Sequence, residues 1–148
     1  MDYKVRPAQD GDAAAVYQFI CQLEEQPFNR EIFEQIYREN IRHKAYCYLL
    51  AETESNPAAG YLSCHTQQLL HHGGRVAEIQ ELFVAEEHRQ HGIAGQLVAA
   101  LEKKLGEMNC VLLEVTAHNR RNDTHQFYEN RGFLHSHKKF TKTLQHAR

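Results

Sequence analysis

EEHRQHGIAGQLVAAL, residues 86–101, decides how the rest of this chain is read. The β-rich run RVAEIQELFV ends at Val84. From Gly92 onward Ile93, Leu97, Val98, Leu101 and Leu105 recur at three-to-four spacing, so a strand, a turn and a helix reaching about Gly106 are expected. The first N–H groups of such a helix have no intrahelical partner and lie at the positive end of its dipole, which suits an anionic phosphate. Gly92 lets the chain approach a ligand closely, while Ala94 and Gly95 keep side chains out of the way. Two phosphate-binding patterns do not fit. A Walker loop needs Gly-Lys-Ser/Thr where Gln96 and Leu97 stand, and a dinucleotide fingerprint needs glycine in place of Gln90 and a shorter gap after the strand, although Glu114 would serve as its ribose ligand.

Outward from the loop, YKVRPA reads as a first strand ended by Pro7. A helix with Ala15, Phe19, Ile20 and Leu23 on one side follows, capped by Asp10 or Asp12, and after EEQPFN a second, capped by Asn29, carries Ile32, Phe33, Ile36, Tyr37 and Ile41. AYCYLLAE and AGYLSCHTQQ, joined by TESNPA, form an expected antiparallel hairpin, with RVAEIQELFV as the third strand of that group. CVLLEVT is nearly continuous in apolar residues and is expected as a central, parallel strand buried on both faces. RRNDTHQFYENRGF gives a short helix closed by Gly132, and LHSHKKFTKTL a final strand. The expected order is βααβββαβαβ, an α/β fold with a mixed, mostly antiparallel central sheet flanked by helices, and residues 1–148 form one domain without repeat or linker.

A chain of 148 residues with 42% hydrophobic content can bury a core without staples. The net charge is −2 and the basic residues are scattered, which argues against a nucleic-acid or anionic-membrane partner and leaves small molecules as the partner class. MDYKVRPAQDGD is charged from the start and no apolar run approaches a membrane span, so a cytoplasmic protein is expected. Cys21, Cys47, Cys64 and Cys110 lie far apart without a C-x-x-C pair and are read as reduced, partly buried thiols.

Arg89-Gln90-His91-Gly92-Ile93-Ala94 meets the pattern Arg/Gln-x-x-Gly-x-Gly/Ala, and HQFYENRGF supplies a second signature in the right order and spacing. Together with the element order these motifs resemble the GNAT superfamily of N-acetyltransferases over nearly the whole chain. That resemblance implies acetyl-coenzyme A as cosubstrate, with its pyrophosphate on residues 89–95 and its pantetheine arm running beside Leu82, Phe83 and Val84 as an added strand. In the commonest pattern an asparagine stands seven positions before the signature tyrosine. Here Arg121 occupies that place, with Asn119 and Asn122 nearby, and Asn119 is taken as a contact to the arm.

Acetyl transfer to an amine requires a base, because an alkyl ammonium with a pKa of about 10 has no lone pair at neutral pH. Glu78 and Glu81 are the carboxylates on RVAEIQELFV; the resemblance puts Glu78 first, acting through water, since its spacing to Gly92 equals that of the general base in the family's histone-acetylating members, and Glu81 second. On a regular strand the two point to opposite faces; a β-bulge would exchange them. A backbone N–H near Leu82 can stabilise charge developing on the thioester oxygen. Tyr128 matches the tyrosine that protonates the leaving thiolate in many relatives.

The stretches HTQQLLHHGGRVAEIQELFV and RRNDTHQFYENRGFLHSHKKFTKTL further resemble the bacterial aminoalkylphosphonate N-acetyltransferases, which implies a small aminophosphonate as the amine acceptor. His65, His71, His72 and Arg75 offer cationic or hydrogen-bonding groups to a phosphonate, whereas Glu24 and Glu25 suit a cation. His65, His71, His72, His135 and His137 also raise a divalent metal, but no cysteine or carboxylate completes a recognised ligand spacing. A homodimer paired through the last strand would agree with the family.

Overall fold

The computed structural model describes residues 2–117 and 122–145. Among the described residues nine principal elements follow one another: β1 (Lys4–Pro7), α1 (Ala13–Glu24), α2 (Arg30–Ile41), β2 (Tyr46–Glu52), β3 (Gly60–Leu69), β4 (Gly74–Val84), α3 (Ile93–Glu107), β5 (Cys110–Val115) and α4 (Asn122–Glu129). The strands lie in the order β1-β2-β3-β4-β5, antiparallel throughout except for the parallel β4–β5 pair. The α3 crossover allows that parallel pairing, since consecutive parallel strands need a connection long enough to return along the sheet.

Two apolar layers cover the two faces. On one side Ile93, Leu97, Val98, Leu101 and Leu105 of α3, all buried as their spacing predicts, pack on Leu49, Leu62, Cys64, Ala77 and Ile79. On the other, Val16, Phe19 and Ile20 of α1 and Tyr37 of α2 pack on Leu50, Tyr61 and Phe83. Cys47 and Cys64 face each other across β2 and β3 within the first layer, and burial raises both thiols, that of Cys64 to about 12.

Asn29 caps α2 as expected, its Oδ1 accepting from the Ile32 N–H at 3.0 Å. Asp12 precedes α1 but makes no cap bond to the helix. Its carboxylate instead accepts from the Gln9 N–H at 2.8 Å and from both terminal nitrogens of Arg6 at 2.8 and 2.9 Å, and the Arg6 Nε donates to Glu52 at 2.7 Å. This network ties β1 to β2 and to the start of α1. Burial pushes the Asp12 carboxyl up, but Arg6 and the Gln9 N–H outweigh it and hold the group below its ordinary value.

Two expectations at the end of the chain are corrected. β5 is parallel to β4 as expected, but it is the last strand of the described sheet rather than a central one, so among the described residues one of its edges has no partner. Val111 and Leu112 are 60% and 40% exposed. Residues 134–143 form no strand. An apolar run marks a strand that wants covering, yet pairing requires a neighbour whose backbone groups face it, and Leu134 and Phe140 stand 88% and 92% exposed.

Asp12→Asn should lower the unfolding free energy by about 1–3 kcal/mol at neutral pH, the usual cost of stranding a buried charged donor. Because the folded pKa is depressed, the contribution is present above the ordinary carboxylate value and is lost as pH falls through the folded one. Urea titrations at several pH values check this: the gap between wild type and variant should close in acid.

Candidate active site

β4 and β5 pair only as far as Ile79 and Val115. Beyond that point β4 runs on to Val84 with its β5-facing edge unpaired among the described residues, and the space between them opens into a cleft of about 400 Å³. Leu23 and Glu24 at the end of α1 line one wall, Leu82 and Val84 the floor, Thr116 and Ala117 the far side, and Tyr128 of α4 the end.

At the mouth of the split β4 carries one extra residue. Ser63 of β3 pairs with Glu81, and Cys64 with Ile79, so Gln80 is bulged out. Ser63 and His65 share a face of β3, and their partners Glu81 and Glu78 therefore share the corresponding face of β4, the side covered by α1 and α2. The bulge resolves the alternative left open by the sequence by putting both carboxylates on one side. Glu81 is mostly buried, lines the cleft and accepts a short hydrogen bond from the Ser63 hydroxyl. Burial raises its pKa, Ser63 opposes that, and Glu24 across the cleft adds to it. Glu78 sits one step back: Thr116 donates to it at 3.3 Å and the Gln80 amide at 3.4 Å, and both of those residues line the cleft.

Tyr128 shares the apolar layer of Leu82 and Val84, 7% exposed, wedged edge-on against Phe127 and Phe133. Burial pushes its phenol to about 12, so it holds its proton at neutral pH. Gly132, at φ 87°, turns the chain so that the Phe133 N–H reaches the Tyr128 carbonyl at 3.1 Å.

The loop before α3 keeps its expected shape. Gln90 and Gly92 both take left-handed backbone, φ 65° and 78°, and the first intrahelical bond is Gln96 N–H to the Gly92 carbonyl. The N–H groups of Ile93, Ala94 and Gly95 are therefore left to a ligand or solvent. Arg89, expected as a phosphate contact, donates its Nε to the Val84 carbonyl at 2.9 Å and lies over the Phe83 ring, pinning the loop to the end of β4. His91 sits by Tyr3.

The remaining candidates are dispersed. His65 neighbours Glu78 and stacks on Tyr46 with ring centroids 3.7 Å apart. Burial, helped by His43, lowers its pKa. The Asn40 amide donates to the Tyr48 hydroxyl, which lies 2.8 Å from His65 Nε2. His71 and His72 form the β3–β4 turn, and Arg75, near the other end of β4, donates to Thr66 at 2.8 Å; none of the three lines the cleft. Asn119 and Arg121 lie outside the described residues. The metal suggested by the histidines is not supported: among the described residues no three His, Cys, Asp or Glu side chains converge, because those histidines are spread over β3, the hairpin turn and residues 135–137. Ser63 and Thr116 went unread because their importance arises from which strand position they oppose.

A family model for the acetyltransferase (GNAT) family matches residues 13–133. The chain belongs to this family. As a GNAT protein it is an acetyl-coenzyme A-dependent N-acetyltransferase. It is 33% identical, over 141 residues covering 95% of this chain and 91% of the relative, to an aminoalkylphosphonate N-acetyltransferase of Salmonella typhimurium strain LT2. The GNAT fold is shared with an aminoglycoside antibiotic 6'-N-acetyltransferase of Acinetobacter baumannii (TM-score 0.82, 22% identity, 97% of this chain and all of that one). It is shared too with a protein described as a transcriptional regulator from Bacillus halodurans C-125 (TM-score 0.88, 21% identity, the same coverage). The cleft offers two features that the chemistry of such a cosubstrate calls for: a strand edge that an extended arm could join, and α3 N–H groups without an intrahelical partner.

Proposed function

We propose that this GNAT enzyme acetylates the primary amine of a small acceptor, with an aminoalkylphosphonate as the first candidate. The observation that carries the amine chemistry is the bulge that turns Glu81 and Glu78 to the same side of the split sheet. The phosphonate rests on the Salmonella relative. Residues 80–84 pair with the pantetheine arm, and the N–H groups that open α3, with Gln90 to Gly92 before them, receive the pyrophosphate. The cosubstrate supplies an activated acetyl thioester.

Glu24 and Glu81 face the cleft and attract the acceptor's ammonium. Glu81 then takes the proton directly or through water: its raised pKa brings it nearer that of the amine, while Glu78 and Thr116 hold the water path on the outer side. The Leu82 N–H region polarises the thioester carbonyl. Tyr128, protonated at working pH, gives its proton to the departing sulfur. His65, beside Glu78, is the histidine best placed to meet a phosphonate extending from the mouth of the cleft; His71 and Arg75 serve only an acceptor long enough to pass it.

A second acceptor class is favoured by a specific observation. No Lys, Arg or His is among the described residues lining the cleft, whereas two carboxylates are, as suits a polyamine or a protein N-terminus. A thiol-release assay over aminomethyl- and aminoethylphosphonate, polyamines and N-terminal peptides separates the two: turnover confined to aminophosphonates is expected, and preference for polyamines would transfer the assignment. Coenzyme binding without turnover on any amine would leave a non-catalytic module.

Tyr128→Phe should reduce kcat about 100-fold with little change in KM for acetyl-coenzyme A. The wild-type rate should fall in acid as Glu81 takes up its proton, above the ordinary glutamate range. Glu81→Gln should abolish that limb together with about 99% of the rate, whereas Glu78→Gln should keep it. The reverse pattern in the two pH profiles would make Glu78 the base.

We read it as one catalytic domain working in the cytoplasm, a compartment that keeps unpaired thiols reduced. Among the described residues no helix is long and apolar enough to cross a membrane. It is read as a homodimer. The edge of β5 that is unpaired among the described residues, with Val111 and Leu112 exposed and Glu102 beside it, suits a C-terminal segment that carries Leu134, Phe140, Lys138, Lys139 and Lys142, here supplied by a second copy. Sedimentation velocity should give a dimer that Val111→Lys dissociates; a monomeric wild type would overturn this.

A further inference from the structure

Arg131 follows α4 at the turn closed by Gly132, and no described carboxylate lies within ion-pair distance of it. Its guanidinium stands 4.2 Å from the centroid of the Phe127 ring. It also presses against Gly95, where an added β-carbon would collide with Nη2 and crowd Cζ. Gly95 is the third residue of α3, so the cation is held beside the free N–H groups of that helix's first turn. A positive charge at the positive end of a helix dipole is unfavourable unless an anion lies between them. Glycine is also a poor helix residue, and here it leaves the room that the guanidinium occupies.

We propose that Arg131 is a pyrophosphate-binding residue for coenzyme A, carried by α4, steadied by Phe127 and admitted over α3 by Gly95. This rests on the reading that the loop receives the pyrophosphate. Gly95 then clears space for a side chain that reaches the ligand, rather than for the ligand itself. A planar guanidinium can donate two hydrogen bonds to phosphate oxygens while the helix N–H groups bind from below. Acetyl-coenzyme A affinity would then depend on α4, the helix that also carries Tyr128.

The obstructing atom at Gly95 is the end of a flexible side chain, so Gly95→Ala should evict the guanidinium without unfolding the helix. Calorimetric titration with coenzyme A and with dephospho-coenzyme A, which keeps the pyrophosphate, should show Arg131→Ala weakening both by roughly ten- to a hundred-fold, the weight of a charge-assisted hydrogen bond. Gly95→Ala should weaken both to a similar degree while melting no earlier than wild type, and the double variant should bind no worse than Arg131→Ala alone. S-acetylpantetheine, which has the reactive arm without phosphates, should be used equally well by wild type and Arg131→Ala. Unchanged coenzyme binding by Arg131→Ala, tight binding by Gly95→Ala, or an equal loss on the phosphate-free donor would each overturn the proposal. A wild type that binds no coenzyme A would instead refute the loop reading beneath it.

Discussion

One extra residue in β4 sets the rest of the site. Without the bulge at Gln80, strand alternation would put Glu81 in the layer under α3 and Leu82 on the face of α1, reversing both sides of the strand's last four residues. With it, Leu82 and Val84 join the α3 core, Phe83 packs on Phe19, and Glu81 stands beside Ser63 facing the cleft. The bulge also coincides with the place where β4 and β5 cease to pair. A ladder that has lost its phase on one side is a natural point for the neighbouring strand to part, and that parting creates both the cleft and the free strand edge.

The elements were legible because each carries its own period. The α3 spacing placed Ile93 to Leu105 inward, Asn29 marked the start of α2, and the Asn-Pro turn fixed the β2–β3 hairpin. What could not be read depends on relations between segments. Whether Glu78 and Glu81 share a face is decided by a backbone irregularity that costs no unusual residue. CVLLEVT has the composition of a buried strand, but composition does not say whether a neighbour is present to bury it. Asp12 has the chemistry of a cap and instead meets Arg6, because β1 delivers a guanidinium to a place that only the folded sheet defines. The histidines looked like a cluster along the sequence; hairpin geometry spreads them.

In the proposed mechanism the site combines groups of opposite task by controlling their surroundings. Burial acts on Glu81 and Tyr128 in the same direction, keeping protons on more firmly, yet with different results: the carboxyl is brought closer to the pKa range where it can accept a proton and release it again, while the phenol is kept wholly in its donor form. Arg89 and Asp12 act at a distance from the reaction, the one fixing the loop to β4 and the other fixing the start of α1, whose far end brings Leu23 and Glu24 to the cleft wall.

The facing thiols of Cys47 and Cys64 have a consequence for an enzyme whose by-product is itself a thiol. Each turnover liberates coenzyme A, and its oxidised form exchanges with protein cysteines at a rate set by their thiolate fraction and access. Burial keeps both core sulfurs protonated and out of reach, so the sheet on which the cleft is built is insulated from covalent capture by the enzyme's own product.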